Sequence, residues 1–377
     1  MSGIYIHIPF CKRKCHYCNF FSVASVKYRK EILDALREEI FLQRDYLSGK
    51  TIDSVYFGGG TPSLLNSGEI ADILKTIAEN YPLSEDIEIT LEANPDDLNP
   101  KLLQEYKNAR INRLSIGIQS FFDDDLLYLN RVHTAAKSKK VVEEAIQEGF
   151  KNITIDLIYG IPTLTMEKWK QNLKTAFSLP VQHISAYSLT VEPKTALDLL
   201  IRKNKLPAPR EENVIDQFRV LIEKMKKKGF IHYEISNFCK EGYYSRHNSI
   251  YWSGEHYLGL GPSAHSFNGV SRQWNVAGIV EYIDKIGKNK CFFEKEMLTT
   301  VQKYNEYVMT SLRTMWGCDV NRIETEFGKK VASGFWLLAS GIIEKGLMVE
   351  KNGVFFLTDE GKLFADGIAS DLFLEPA

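Results

Sequence analysis

The chain has 377 residues, 44% hydrophobic and 25% charged, with a formal net charge of -1. This is the make-up of a soluble globular protein of two or three domains, or of one barrel with an appendage. The near-neutral balance gives no overall field to draw in nucleic acid or acidic membranes, and no apolar run is long enough to span a bilayer. Met1-Ser2-Gly3 leads straight into the first apolar stretch and leaves no room for a signal peptide, so a cytoplasmic location is expected.

In chain order, the first element is a strand, Ile4–Ile8. It runs through Pro9-Phe10 into Cys11-Lys-Arg-Lys-Cys15-His-Tyr-Cys18. Three thiolates can hold an iron–sulfur cube through three of its irons and leave the fourth open, whereas a cluster built only for electron transfer normally takes four cysteines. Zinc is the competing reading. A closed structural zinc site needs four ligands, usually in two separated pairs; His16 lies in the run, but no second Cys-x-x-Cys exists. Cys239, Cys291 and Cys318 are scattered singly and read as small buried apolar residues. Six cysteines in a chain of this length do not suggest a disulfide framework.

Further strands are predicted over Ser54–Phe57, Ile87–Leu91, Arg113–Ile118, Ile153–Ile158 and His183–Leu189. Helices are predicted between them over Lys27–Leu47, Ser67–Glu79, Pro100–Asn108, Ala136–Glu148 and Met166–Ser178. Repeated βα units imply a parallel sheet with helices outside. Six or so units suggest an α/β fold with a partial (β/α)6 barrel; periodicity alone leaves a doubly wound sheet open. In barrels the chemistry sits on loops at the carboxyl ends of the strands. The polar residues of this chain gather there: Gly58-Gly-Gly60-Thr61-Pro62 after the second strand, Glu92 ending the third, Gln119 ending the fourth, Arg131 beyond it, and Asp156 in the fifth. The glycine run would let a ligand approach the backbone, or it is simply a tight turn. Charged and amide groups in apolar strands are costly unless paired. A structural ion pair between Arg131 and Asp156 or Glu92 would explain some of them; a polar cofactor at the barrel mouth would explain all four.

After Leu206-Pro-Ala-Pro-Arg210 a helix is expected to run from about Glu211 to Lys228, its terminal lysines complementing the dipole and Gly229 capping it. From about Leu298 the pattern changes. Helices over Val301–Arg313 and Val331–Lys345 precede a hairpin turning at Asn352-Gly353 and a last helix starting near Thr358. This resembles a winged-helix module, but residues 300–377 carry eight Lys/Arg against eleven Asp/Glu, and a DNA-binding surface should be basic. It reads as a packing or lid domain. The expected division is 1–285 and 298–377.

Cys11-x-x-x-Cys15-x-x-Cys18 and Gly58-Gly-Gly60-Thr61-Pro62 together resemble the radical S-adenosylmethionine (SAM) superfamily. The resemblance implies a [4Fe–4S] cluster on Cys11, Cys15 and Cys18 whose open iron chelates the methionine part of SAM. One electron then cleaves the sulfonium to methionine and a 5′-deoxyadenosyl radical, which requires an electron donor. It also implies that Tyr17 lies near the adenine and that Gly59, Gly60 and Thr61 hold the amino end. Glu92, Gln119, Arg131 and Asp156 would contact the methionine part or the ribose, and Tyr5 would be a further SAM contact.

Within the superfamily the chain is most similar to the group containing oxygen-independent coproporphyrinogen III oxidase and the HemW-type haem chaperones. The segments carrying this are Tyr5–Cys18, Gly58–Pro62, Leu114–Phe121 and Asp156–Pro162. The oxidase has one more cysteine, two residues after its third ligand, where this chain has Phe20. His247-Asn248-Ser-Ile-Tyr251-Trp252 matches the chaperones' His-Asn-x-x-Tyr-Trp motif. The resemblance therefore implies a protein that binds haem and passes it to an acceptor haemoprotein. Radical decarboxylation of coproporphyrinogen propionates is the alternative, and a radical SAM enzyme for another substrate a more remote one; whether the chain is an enzyme stays open. On chemistry alone, His247 is a possible axial ligand with Tyr251 and Trp252 against the porphyrin face, or these residues simply close an edge of the barrel. His256, His265 and Cys239 are alternative ligands.

Overall fold

A computed structural model describes residues 1–375 of the chain. Six parallel strands lie side by side in chain order: β1 (Ser2–Ile8), β2 (Ile52–Gly59), β3 (Leu83–Ala93), β4 (Arg113–Gln119), β5 (Asn152–Tyr159) and β6 (His183–Ser188). The intervening helices start where short polar side chains take up free backbone amides. Asn66 and Glu69 cap each other ahead of Ser67–Asn80, and Asn99, Thr134 and Thr165 cap the next three long helices.

Side chains alternate across each strand. Ile4, Ile6, Val55, Phe57, Ile89, Leu91, Leu114, Ile116, Ile153 and Ile155 point to the helices and form the main core. The opposite face carries Tyr5, His7, Tyr56, Glu92, Arg113, Ser115, Gln119, Thr154 and Asp156, which border a cavity. One face of the array is thus apolar and the other polar, the second being the face that a ligand would meet.

Two extensions widen the array to twelve strands. Beyond β6 lies the antiparallel pair β7 (Ile231–Glu234) and β8 (Asn237–Cys239). Beyond β1 come β9 (His256–Leu260), β10 (His265–Phe267), β11 (Ser271–Asn275) and β12 (Phe293–Met297). β9 runs parallel to β1 and the rest of that extension is antiparallel. The outermost strands are β7 and β12, so the expected partial barrel is an open sheet that does not close on itself. Sequence patterning missed these six strands because they are three to five residues long and lack a clean apolar alternation. The first expected helix, Lys27–Leu47, is shorter, Arg29–Leu42; its continuation is a series of turns in which Ser48 and Gly49 take positive φ.

A second core collects Tyr304, Val308, Leu312, Phe335, Phe355 and neighbours. Its elements are the helix Thr300–Leu312, β13 (Cys318–Asp319), the helices Val320–Phe327 and Lys329–Glu344, and the hairpin β14 (Met348–Lys351) and β15 (Val354–Leu357). The hairpin turns at Asn352 and Gly353, both at positive φ, as the sequence pattern requires. Thr358 leads into a 3-10 turn, Gly361–Phe364, before the last helix, Ala365–Asp371. Among the described residues no helix is long and apolar enough to cross a membrane.

Candidate functional site

The loop after β1 is pinned at its base by backbone bonds, Val23 N–H to Pro9 O at 2.8 Å and Cys11 N–H to Val23 O at 3.0 Å. Its middle is held by His16, whose N–H meets Leu129 O at 3.2 Å and whose Nδ1 meets Tyr128 O at 2.9 Å. Cys11, Cys15 and Cys18 are all free, partly exposed, and border one cavity of about 950 Å³. Two sulfurs already have protein donors: Thr61 Oγ1 lies 3.5 Å from Cys11 Sγ, and Arg131 Nη1 lies 3.3 Å from Cys15 Sγ. Burial pushes the Cys18 thiol up, and Cys15 and Cys11 add to this. Among the described residues no three histidine, cysteine or carboxylate side chains converge closely enough for a single metal ion.

Arg131 joins the cysteine loop to the strands. Its Nη2 donates to Asn94 Oδ1 at 2.6 Å and to Gly117 O at 2.8 Å. Asn94 in turn donates to Thr61 Oγ1 at 3.2 Å. Gly60 is required by close approach: a Cβ there would come within 2.6 Å of Phe10 O and 2.8 Å of Ile8 O. Gln119, at φ 68, ends β4 in the left-handed region and places its amide over Gly117.

Deeper in, Tyr56 OH donates to Glu92 Oε1 at 2.8 Å, and Ser115 Oγ lies 3.4 Å from both oxygens of Asp156. Burial pushes Glu92 up to about 7 and Asp156 up to about 6, against the charge of Arg113. Two carboxylates thus face the cavity short of positive partners. A cationic ligand would remedy this, and SAM carries both a sulfonium and an ammonium.

At the inner end, the helix Arg246–Ser253 brings His247 against β1 and β2. Its Nδ1 is 2.9 Å from Ser54 Oγ and its Nε2 is 2.9 Å from Tyr251 OH. The ring stacks on Tyr56 at 4.9 Å, and burial pushes its pKa down to about 3. His247 and Tyr251 border the same cavity as the cysteines. Trp252 does not; it lies under Arg313 at 5.3 Å. Tyr5, Tyr17, Gly59, Gly60, Thr61, Glu92, Gln119, Arg131 and Asp156 all border the cavity. Sequence reading missed Asn94, Arg113 and Tyr56, although the period of two carried the signal: Asn94 shares a face with Glu92, and Arg113 with Ser115 and Gln119.

Residues 5–176 match the model of the radical SAM superfamily. The heme chaperone HemW of Bacillus subtilis is 36% identical over 372 residues, 98% of each chain. HemW of Mycobacterium tuberculosis is 32% identical, over 98% of this chain and 94% of that one. The chain belongs to the HemW family. Among solved structures, Escherichia coli coproporphyrinogen III oxidase (HemN), described as a radical SAM enzyme, superimposes with a TM-score of 0.85 at 23% identity, covering 99% of this chain and 90% of that one. That likeness establishes the fold. Membership of the radical SAM superfamily implies a [4Fe–4S] cluster and SAM. The cavity meets both requirements: three thiols with a guanidinium beside them, and two partly buried carboxylates in want of a cation. Phe20 is 63% exposed on the cavity rim.

Proposed function

We propose that this protein is a cytoplasmic haem chaperone that binds haem and passes it to an acceptor haemoprotein, while carrying a [4Fe–4S] cluster and SAM. Cys11, Cys15 and Cys18 hold the cluster. Gly59, Gly60, Thr61, Glu92, Gln119, Arg131 and Asp156 hold SAM, with Tyr5 and Tyr17 beside it. When bound, the cluster and SAM supply one-electron chemistry at the sulfonium. The protein's own part is to keep Arg131 on Cys15 and Gly117, to hold the glycine run open, and to offer Glu92 and Asp156 to a cation. His247, Tyr251 and Trp252 shape the haem end. His247 braces Tyr251 against β2, and Trp252 joins the helix to Arg313. The division into a barrel domain, 1–285, and a winged-helix-like C-terminal domain, 298–377, belongs to the same reading and is supported by the second core.

The observation that carries the reading is that the cysteines and the His247–Tyr251 motif meet on one cavity in a chain that matches HemW proteins end to end. The deciding experiment is anaerobic reconstitution followed by iron, sulfide and haem analysis. About four irons and sulfides per chain and one saturable haem are expected. Supplying coproporphyrinogen III, SAM and a reductant should yield no vinyl groups; their formation would defeat the chaperone reading in favour of the oxidase.

A further inference from the structure

We infer that the surface around the cysteine loop is the docking face for an acidic one-electron carrier protein, held by Arg13, Lys14, Lys194, Lys203 and Lys205. The inference rests on the cluster reading given above and deepens it by naming the kind of partner that reduces the cluster. Two stretches of chain meet at this surface. Leu197 N–H donates to His16 O at 2.8 Å, which seats the start of the helix Ala196–Arg202 on the cysteine loop. The segment Tyr128–Asn130 touches both stretches: Asn130 Nδ2 donates to Lys14 O at 2.9 Å, and Tyr128 OH to Pro207 O at 2.7 Å. Residues 11–22 and 192–210 together carry eight Lys/Arg against two Asp/Glu, in a chain that is balanced overall at 47 against 48. Lys12 is taken by Asp96 and Asp97, and Arg202 by Asp198. Arg13, Lys14, Lys194, Lys203 and Lys205 have no carboxylate partner among the described residues, and all five are exposed. The acids at the far end of the neighbouring helix Asp123–Tyr128 are engaged elsewhere, Asp123 by Ala135 N–H and Asp124 by Lys168.

Helix stability does not account for this grouping. Lys203 and Lys205 follow the carboxyl end of the helix Ala196–Arg202, where the dipole favours cations, but Lys194 precedes its amino end, where the dipole disfavours them. Arg13 and Lys14 lie on the cysteine loop itself and border the cavity. The same segments expose Phe20, Leu127 and Leu199. Exposed apolar side chains among unpaired cations suit a protein whose own surface is acidic and partly apolar. They suit a nucleic acid less well, because the chain as a whole carries a net charge of -1. The place of the face selects an electron carrier among acidic proteins. An electron crosses only a short gap, and this face surrounds the three partly exposed cysteines. The carrier gives up one electron, which the bound cluster accepts, with no bond made or broken. A basic face also raises the rate of encounter with an acidic carrier at low ionic strength.

The test uses an acidic flavodoxin as the probe and anaerobically reconstituted protein: the parent, a Lys203→Glu/Lys205→Glu variant, and a Lys329→Glu/Lys330→Glu variant with the same change in net charge on the C-terminal elements. Binding of the oxidised flavodoxin is measured by calorimetry, and reduction of the cluster by stopped-flow absorbance with either reduced flavodoxin or dithionite as donor. The parent is expected to bind the flavodoxin, less tightly as salt rises. K203E/K205E should slow flavodoxin-driven reduction by about tenfold at low salt and lose most of that difference at high salt. Its dithionite-driven reduction, circular dichroism and iron content should equal the parent's. K329E/K330E should behave as the parent throughout. Unchanged flavodoxin binding in K203E/K205E, an equal loss in K329E/K330E, or a parent with a full cluster that prefers an oligonucleotide to the flavodoxin overturns this inference alone. A parent that takes up no iron overturns the cluster reading and this inference with it.

Discussion

The inner face of the parallel strands and the core of the C-terminal elements bury polar atoms in opposite ways. In the C-terminal core the buried hydroxyl of Tyr304 donates to Leu372 O at 3.0 Å and that of Ser311 to Val308 O at 3.3 Å, amid aliphatic and aromatic contacts such as Phe335 edge-on to Phe355 at 5.1 Å. On the strand face Glu92 and Asp156 line the cavity with burial opposing their charge, and the buried Arg113 Nε makes no hydrogen bond, its nearest carboxylate being Glu88 at 3.9 Å. Folding alone does not explain such an arrangement, because uncompensated buried charge destabilises. The C-terminal core is finished by its own residues; the strand face is finished by a ligand. Substitutions in the two places should therefore fail in different ways.

The largest effect is expected on the strand face. Cys15→Ala should abolish the cluster, read as loss of bound iron, sulfide and brown colour after anaerobic reconstitution. Its far-UV circular dichroism should match the parent, since Cys15 is partly exposed and contributes nothing to either core. A folded variant with full iron would remove Cys15 from the ligand set. The matching substitution in the other region is Phe335→Ala. Phe335 is 1% exposed and meets both Ala and aromatic neighbours in its core. Its truncation should cost about 3–5 kcal/mol, read by chemical or thermal unfolding. Iron and SAM content of the folded fraction should not change. If Phe335→Ala emptied the cluster while leaving stability intact, the division of labour drawn above would be wrong.

A third prediction turns on the sign of titration. In the empty protein Glu92 ionises at about 7 and Asp156 at about 6, both raised by burial. A cationic ligand favours their ionised forms. SAM affinity should be flat above pH 8 and fall as the pH drops through 7, by up to about tenfold per unit for each group that must lose its proton on binding. Glu92→Gln should flatten the upper step. Stability of the empty protein should move the other way. A carboxyl raised in the folded state contributes stability that is fully present below its unfolded value and is lost as the pH rises through about 7. Binding and unfolding measured in parallel from pH 5.5 to 8.5 would separate the two trends; parallel trends would show that these carboxylates do not face the ligand.

How much of this was legible in the sequence follows from the range of the interactions. Strands β1 to β6 and the helices between them carry strong local periodicity, so the expected elements agree with the structure to within a few residues. The site residues were legible because Glu92, Gln119, Arg131 and Asp156 fall at the same end of successive βα units. The extensions β7 to β12 were not legible. β10 exists because Ser266 Oγ meets Gly259 and β11 pairs beside it, and β9 because β1 lies alongside. Those are tertiary causes with no local trace. The same applies to the histidines. Sequence favoured His247 and kept His256 and His265 as alternatives, and only the positions of Ser54 and Tyr251, the first 193 residues from His247 in the chain, show that both of its ring nitrogens are already engaged.

The smallest effect is expected where the two regions meet. Arg219, on the helix Glu211–Lys227, makes two hydrogen bonds to Glu360, at 3.0 and 2.8 Å. The pair invites the reading that it ties the C-terminal elements to the strand array. Both side chains are about half exposed, 52% and 54%, so water and salt screen the attraction, and ordering two long side chains offsets what is left. The backbone makes the firmer join. Met315 N donates to Tyr233 O at 2.9 Å and Ile235 N to Arg313 O at 3.1 Å, which stitches the β7–β8 hairpin to the segment after the helix Thr300–Leu312. These bonds survive any surface substitution. Arg219→Ala should leave the unfolding midpoint unchanged within error at moderate salt, together with cluster content and haem affinity. A clear loss of stability, abolished in high salt, would place the join in that ion pair instead of in the backbone.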